Sequence, residues 1–298
     1  MLGDGKKLDV RAGRTLPFTL GHEIAGVIES MGPEADAKPG AKVAVYPWIG
    51  CGQCAACKFG DENICTAPRH LGVTVDGGFA THVLVPHPRY LIDYVPLSPG
   101  YAGALMCSGL TAYAALKRLA SRAARAPLLL IGLGGVGLMG LALTRAMYGT
   151  APFVADIDAK KREAALAAGA AEAFDPADPS VRKALFKTSG GIYAACDFAG
   201  SDASLNFATS VLAKGGKVVV TGLIGGAYST AVAMFPLKAM TIEGTTTGTL
   251  KEARELIDLV RTKNVSPPPI AERPFDQASK TLDDLRAGLI IGRVVLTA

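Results

Sequence analysis

The chain has 298 residues and a formal net charge of +5, from 31 basic and 26 acidic side chains. This length is sufficient for two domains with buried cores. Apolar residues make up 49% and glycine occupies 35 positions, which fits an α/β protein better than a disordered or fibrous chain. The basic side chains are scattered and form no stripe with interleaved aromatics, so the composition predicts solvated helix faces and no nucleic-acid surface.

No targeting or membrane segment is predicted. The opening stretch MLGDGKKLDVRAG is too polar for a signal peptide. The 19 uncharged residues 126–144 approach the length of a membrane helix, but five glycines fall within residues 132–140. A short apolar strand, a glycine turn and a helix explain this run better, and we expect a cytoplasmic protein without a membrane partner.

Four of the six cysteines lie in the stretch CGQCAACKFGDENIC, residues 51–65. In a reducing compartment, clustered thiols are more often metal ligands than disulfides. Two-residue gaps let successive sulfurs converge on one tetrahedral ion, and a longer gap returns the fourth sulfur. Four thiolates close the coordination shell, so the pattern predicts a structural zinc, with buried, unligated cysteines as the weaker alternative in this polar loop. The predicted ligands are Cys51, Cys54, Cys57 and Cys65.

From about residue 127 the sequence alternates between strand and helix patterns. The predicted strands are LLLIG, PFVAD, EAF, IYAACDF and KVVVTGL, with helices between them. Such alternation with short turns predicts an α/β domain with a doubly wound parallel sheet and right-handed crossovers.

The first strand-to-helix turn of this region reads G-x-G-x-x-G. Gly132 permits the tight turn, Gly134 lets a pyrophosphate approach the backbone, and Gly137 lets the helix pack on the strand. Free N–H groups at the helix N-terminus favour phosphate there. The predicted dinucleotide contacts of the turn are Gly132, Gly134, Gly135, Val136 and Gly137.

An acidic residue follows the glycine turn at the expected distance. Asp156 lies 19 residues after Gly137 and closes the next predicted strand. A carboxylate there accepts hydrogen bonds from the adenosine ribose and repels a 2′-phosphate, so it predicts NAD over NADP. The alternative role for Asp156 is a helix N-cap, for which Asp158 competes.

Several motifs follow one another along the chain: LPFTLGHEIAGVIESMG at 16–32, Pro-Trp before the cysteine loop, CSGLTAY at 107–113, the glycine turn, and GRVVLTA at 292–298. This ordered set resembles the zinc-dependent medium-chain alcohol dehydrogenases, most closely their NAD-dependent bacterial and archaeal branch. The resemblance extends over nearly the whole chain. It implies a GroES-like β-barrel catalytic domain at residues 1–108 and 247–298, and a Rossmann NAD-binding domain at residues 109–246.

The resemblance implies a second, catalytic zinc. It marks His22 and Glu23 as ligands or near-ligands and Cys107 as a thiolate ligand, whereas composition alone makes His22 a structural histidine and Cys107 a core residue. A zinc with three protein ligands keeps a fourth position for an alcohol oxygen and lowers the pKa of that hydroxyl. Hydride then passes to the nicotinamide.

Further site residues are implied by the resemblance. The cofactor contacts would be Thr111 at the nicotinamide ribose, Lys161 at the adenosine ribose, Arg293 at the pyrophosphate, and Thr221, Gly222 and Leu223 along the nicotinamide. Trp48 would line the substrate pocket, although ordinary packing explains it equally well. The residues expected to have structural or surface roles are His70, His82, His87 and Cys196.

The implied activity is reversible NAD-linked oxidation of an alcohol to an aldehyde or ketone, by a homodimer or homotetramer. The family's chain normally begins several dozen residues earlier, with the first strands of the catalytic domain, a cysteine ligand and the hydroxyl that starts a proton relay. We therefore expect a weakened catalytic metal site. The alternative is a truncated or catalytically inactive NAD-binding homologue that keeps only the structural zinc. A zinc-ribbon nucleic-acid module is disfavoured because a basic groove is lacking.

Overall fold

The structure, a computed structural model, describes residues 16–124 and 126–297. These residues divide into two compact units: one spans Thr111–Thr246, and the other combines residues 16–110 with residues 247–297. The division into a catalytic and an NAD-binding domain, with boundaries at 108/109 and 246/247, stays a prediction. The opening stretch in which no signal peptide is expected lies outside the described residues.

The secondary structure of the described residues is as follows. The strands are β1 (Ile24–Val27), β2 (Lys42–Val45), β3 (Leu91–Asp93), β4 (Leu128–Ile131), β5 (Phe153–Ala155), β6 (Glu172–Phe174), β7 (Ile192–Asp197), β8 (Leu212–Val220), β9 (Thr241–Gly244), β10 (Ile270–Pro274) and β11 (Arg293–Thr297). The helices are α1 (Ala55–Phe59), α2 (Pro99–Ala104), α3 (Leu110–Lys117), α4 (Ala120–Ala123), α5 (Gly135–Tyr148), α6 (Ala159–Ala167), α7 (Val181–Ser189), α8 (Asp202–Val211), α9 (Met234–Lys238), α10 (Leu250–Lys263) and α11 (Ala278–Arg286). A π-helical turn, Leu105–Gly109, joins α2 to α3.

The unit Thr111–Thr246 is built on a six-stranded parallel sheet with the strand order β6-β5-β4-β7-β8-β9. All four residues of β4 are buried, as expected for a strand covered by helices on both faces. The strand order runs outward from β4 in both directions, so a topological switch point lies at the carboxyl ends of β4 and β7. The predicted doubly wound α/β fold is confirmed.

The apolar run that could suggest a membrane helix folds as predicted. It contains β4, the glycine turn and most of α5. Within the described ranges, none of the helices combines the length and the hydropathy needed to span a bilayer.

The second unit contains two small sheets. The antiparallel sheet has the order β1-β2-β3, and β10 pairs in parallel with β11. Among the described residues these strands lie in two separate sheets. Residues 72–87 consist of turns, bends and irregular backbone, with one isolated bridge between Leu71 and Val75. Helix α2 packs against β1 and β2, and α10 packs against the π-turn.

Candidate functional site

The four cysteines of the loop at 51–65 surround one point. Their sulfurs all lie within 4.8 Å of one another. The Cys54 sulfur is 3.5 Å from that of Cys57 and 3.8 Å from that of Cys65. Zinc–sulfur bonds of about 2.3 Å in a tetrahedron place neighbouring sulfurs about 3.8 Å apart. The cluster therefore fits a four-thiolate zinc site.

Backbone amides of the same loop point at the sulfurs. The Cys51 amide donates to the Cys65 sulfur (3.2 Å), and the Cys54 amide donates to the Cys51 sulfur (3.4 Å). Hydrogen bonds from the backbone lower the pKa of the Cys54 thiol to about 6, whereas burial raises the pKa of Cys57 to about 12. Amide donors favour thiolates, which are the metal-binding form of cysteine.

A buried carboxylate anchors this loop. Glu62 accepts hydrogen bonds from the Gly50 amide (3.0 Å) and the Tyr90 hydroxyl (2.7 Å), and its other oxygen pairs with the Arg89 guanidinium at 2.7 Å. Sequence reasoning missed Glu62, because an acid within GDENIC looks like an exposed loop residue. Its burial and three partners show that it holds the cysteine loop against the segment that leads into β3.

His22 and Cys107 meet although 85 positions separate them. His22 Nε2 lies 3.3 Å from the Cys107 sulfur. Two ligands with bonds of about 2.0 and 2.3 Å to one tetrahedral zinc would be about 3.5 Å apart. Burial lowers the pKa of His22, which favours the neutral imidazole that a metal requires. The pair therefore fits two adjacent ligands of one ion.

Glu23, the next residue, has its own partners within the protein. One carboxylate oxygen accepts hydrogen bonds from the Ser108 amide (3.0 Å) and hydroxyl (2.6 Å), and the other pairs with the Arg293 guanidinium. Both oxygens thus have partners, through which Glu23 braces the residue next to Cys107, and its role as a ligand or near-ligand of zinc stays a prediction. Arg293, implied by the resemblance to lie near the pyrophosphate, has its guanidinium on Glu23.

Trp48 lies against the His22 ring. Their ring centroids are 5.3 Å apart, and the indole N–H donates to the Met106 carbonyl at 3.0 Å. Trp48 also makes a T-shaped contact with His70, with 5.3 Å between the ring centroids. These contacts explain Trp48 as a packed residue next to the His22–Cys107 pair, and a pocket-lining role for it stays a prediction. His70, which matches no ligand motif, belongs to the same cluster.

The glycine turn after β4 has three glycines with different roles. Gly132 has φ +85°, a backbone conformation that L-residues rarely adopt. A Cβ on Gly137 would lie 1.9 Å from the Gly132 carbonyl oxygen, so helix and strand could not approach as they do. A Cβ on Gly134 would meet nothing within 4 Å. The fold therefore requires Gly132 and Gly137, whereas Gly134 leaves open space at the N-terminus of α5, where Gly135 and Val136 begin the helix.

Asp156 is tied to the glycine turn. It is buried, and its carboxylate accepts hydrogen bonds from the Leu133 amide (2.6 Å) and the Asp158 amide (2.9 Å). Asp158 caps α6 by accepting from the amides of Lys160 and Lys161. The N-cap alternative for Asp156 is therefore wrong, because Asp158 occupies that position.

Five other expected cofactor residues lie on the same unit, whereas Arg293 belongs to the other one. Thr111 is buried in α3, and Lys161 is partly buried in the first turn of α6. Thr221 and Gly222 follow β8, with their amides donating to the Asp197 carbonyl, and Leu223 is exposed. Sequence reasoning missed Asp197, whose signal is its position at the end of an apolar strand.

The remaining histidines and the last cysteine lie elsewhere. His82 pairs with Glu29 at 2.8 Å on the surface. His87 accepts a hydrogen bond from the Arg89 amide and so begins a short 3₁₀ turn. Cys196 is fully buried in β7, and burial raises the pKa of its thiol.

The chain contains a doubly wound sheet with a glycine turn, a four-cysteine cluster and a histidine–cysteine pair. This combination is typical of metal-dependent dehydrogenases that use a dinucleotide. Comparison with known proteins gives the family. The model of the alcohol dehydrogenase GroES-like domain matches residues 4–96, and that of zinc-binding dehydrogenases matches residues 135–262. The chain belongs to the zinc-dependent medium-chain alcohol dehydrogenase family, which confirms the resemblance of its motifs and the GroES-like plus Rossmann fold.

Individual relatives agree with this assignment. An NAD-dependent alcohol dehydrogenase of Saccharolobus solfataricus is 34% identical over 288 residues, covering 95% of this chain and 83% of the relative. One of Sulfurisphaera tokodaii is 35% identical over 291 residues with the same coverage. The crystal structure of the alcohol dehydrogenase from Aeropyrum pernix is similar with a TM-score of 0.87 at 27% identity, covering 95% of this chain and 84% of that one.

Proposed function

We propose that the protein is a zinc-dependent alcohol dehydrogenase that interconverts an alcohol with an aldehyde or ketone and uses NAD. The observation that carries the proposal is the approach of His22 Nε2 to the Cys107 sulfur, at a separation that two ligands of one zinc would have. Membership of an alcohol dehydrogenase family and the glycine turn of a doubly wound sheet support it.

At the catalytic site, His22 and Cys107 would hold the zinc. Bound zinc is a Lewis acid that lowers the pKa of an alcohol hydroxyl. Glu23 fixes the segment that carries Cys107 through Ser108, and Arg293 balances its charge. Trp48 packs on His22 and would form part of the wall for a small alcohol or aldehyde.

Two further parts complete the proposed machinery. The four cysteines of the loop at 51–65 would hold a structural zinc, which their sulfurs, all within 4.8 Å of one another, support. On the other unit, the turn from Gly132 to Gly137 would bind the pyrophosphate, and Asp156 would bind the adenosine ribose. The remaining cofactor contacts that we propose are Thr111, Lys161, Thr221, Gly222, Leu223 and Arg293. A homodimer or homotetramer is the proposed assembly.

One observation favours a second candidate, an inactive NAD-binding homologue. Among the described residues, only the four cysteines form a cluster of three or more candidate metal ligands. His22 and Cys107 belong to no such cluster. Since Glu23 is engaged by Ser108 and Arg293, the described residues supply two ligands where catalytic zinc sites usually have three.

Metal content and turnover together distinguish the two candidates. We expect two zinc ions per wild-type chain by elemental analysis, and NAD reduction with a panel of primary and secondary alcohols. Cys107→Ala should lower the content to one zinc and abolish turnover while NAD binding remains. Cys196→Ala, which removes a thiol outside both sites, is the matched control and should keep both zincs. A wild-type chain with one zinc, bound NAD and no turnover would support the inactive homologue instead.

A further inference from the structure

Asp197 ends β7 as a fully buried acid. One carboxylate oxygen accepts hydrogen bonds from the amides of Ala199 (3.0 Å) and Gly200 (2.9 Å). The other oxygen accepts from the Ser204 hydroxyl at 2.8 Å. The side chain therefore shapes the loop between β7 and α8 with three hydrogen bonds.

The backbone of the same residue holds the next loop. The Asp197 carbonyl accepts from the amides of Thr221 (2.9 Å) and Gly222 (3.1 Å), which follow β8. The two loops continue to pair, because Ile224 donates to Ala199 and Gly225 donates to Gly200. Any movement of the loop that Asp197 shapes must therefore move the loop after β8.

The two loops are in close contact without intervening side chains. A Cβ on Gly200 would lie 1.9 Å from the Gly222 carbonyl oxygen, and a Cβ on Gly222 would lie 2.1 Å from the Ala199 carbonyl carbon. The glycine turn also touches this assembly, since a Cβ on Gly132 would lie 2.9 Å from the Ala199 amide nitrogen. Three loops at the carboxyl edge of the sheet thus meet around Ala199, two residues after the end of β7.

The loops after β7 and β8 lie on one side of the switch point, and this position indicates which half of a dinucleotide they would contact. Strand β5, which carries Asp156, lies on one side of β4, whereas β7 and β8 lie on the other. A dinucleotide bound across the switch point places one nucleotide over each side. If Asp156 takes the adenosine half, the loops that Asp197 joins take the nicotinamide half.

We propose that Asp197 is a positioning residue that holds the loops after β7 and β8 in the conformation that receives the nicotinamide half of the cofactor. The inference rests on the proposed function, because it assumes that the sheet binds a dinucleotide. A fully buried carboxylate is costly to desolvate, and burial raises its pKa against the opposing effect of its hydrogen bonds. Three directed hydrogen bonds offset that cost and fix loop geometry, which an apolar side chain of similar size could not do.

The test compares two ligands that share the adenosine half. NAD⁺ and ADP-ribose both contain adenosine and pyrophosphate, but only NAD⁺ has the nicotinamide. We expect Asp197→Ala to raise the Kd for NAD⁺ about 10–100-fold and the Kd for ADP-ribose less than about 3-fold, by calorimetric titration. Asp197→Asn keeps an acceptor for the Ala199 and Gly200 amides, so it should restore most of the NAD⁺ affinity.

Two further variants keep the experiment decisive. Asp178→Ala removes an acid that accepts from a backbone amide in an exposed turn of the same unit, so this matched control should leave both Kd values unchanged. If Asp197→Ala does not fold, Ser204→Ala removes one of the three hydrogen bonds and should still raise the ratio of the two Kd values. An unchanged ratio in the folded variants overturns the inference. A wild-type chain that binds neither NAD⁺ nor ADP-ribose overturns the proposed function itself.

Discussion

In the glycine turn, Gly134 should be needed for cofactor binding, whereas Gly137 is needed for the fold. At Gly134 the backbone has φ −71° and ψ −167°, which an L-residue can adopt, and an added Cβ would meet no atom within 4 Å. Alanine should stabilise the fold by about 0.4–1 kcal/mol, because it lowers the entropy of the unfolded chain. It is a poorer N-cap than glycine by a similar free energy, so the two effects nearly cancel. We therefore expect Gly134→Ala to leave the melting temperature of the ligand-free protein within about 3 °C of wild type.

Cofactor binding, in contrast, should be weakened by Gly134→Ala. The open space at Gly134 is where a pyrophosphate would approach the first amides of α5. A methyl group there would displace the phosphate and cost at least one charge-assisted hydrogen bond, worth about 1.5–3 kcal/mol. We expect the Kd for NAD⁺ to rise about 10–100-fold.

Gly137→Ala is the matched comparison in the same turn. Its Cβ would lie 1.9 Å from the Gly132 carbonyl oxygen, far inside van der Waals contact. Overpacking of this kind costs about 1–3 kcal/mol, so the melting temperature should fall by about 2–12 °C. Differential scanning calorimetry and NAD⁺ titration of both variants provide the measurements. The reasoning would be refuted by a Gly134→Ala protein that melts as early as Gly137→Ala, or by one that binds NAD⁺ like wild type.

Three further predictions concern the metal loop and the ribose acid. Cys54→Ser should lower zinc content by one ion and lower the melting temperature, while NAD⁺ titration of the folded protein gives an unchanged Kd; unchanged zinc content would contradict the four-thiolate site. Glu62→Gln removes the charge that pairs with Arg89 and should weaken the anchoring of this loop by about 1–3 kcal/mol, a range kept small because Arg89 is partly exposed to solvent. The variant should lose zinc to a chelator faster than wild type, and an unchanged rate would contradict the anchoring role. Asp156→Ala should weaken NAD⁺ binding and improve NADP⁺ relative to it, because ribose hydrogen bonds and repulsion of a 2′-phosphate are lost together; a wild-type preference for NADP⁺ in titrations would refute this assignment.

Local patterns were sufficient to predict the parallel sheet. Short apolar segments, helical periodicity and the glycine turn each depend on neighbouring residues, and β4 through β7 appear where these patterns place them. The predicted strand KVVVTGL is displaced, since β8 begins at Leu212 and ends at Val220. Its pairing with β7 shifts register between Ile192 and Ala194, an irregularity that alternation of residue types does not reveal.

The acids that organise the sites could not be identified from local patterns. Glu62 and Asp156 are both buried and both accept backbone amide hydrogen bonds, yet only Asp156 follows a motif at a fixed distance. Asp197 lacks such a motif, and its importance depends on the loop after β8, which is more than 20 residues away. The burial of a charged side chain is a tertiary property, so the sequence predicts it only where a known spacing accompanies it.

The π-helical turn at Leu105–Gly109 explains how two distant pairs of residues come together. Cys107 contacts His22 and Ser108 contacts Glu23, so two neighbours on the turn meet two neighbours on the segment before β1. Successive side chains of a regular α-helix point about 100° apart, which makes it difficult for both to face the same neighbouring segment. The wider π-turn relaxes this constraint, and such turns occur frequently at functional sites. Trp48 secures the same turn by donating to the Met106 carbonyl, and α10 packs against it. The irregular helix is thus the element through which the fold places the Cys107 sulfur next to His22 and the Ser108 donors next to Glu23.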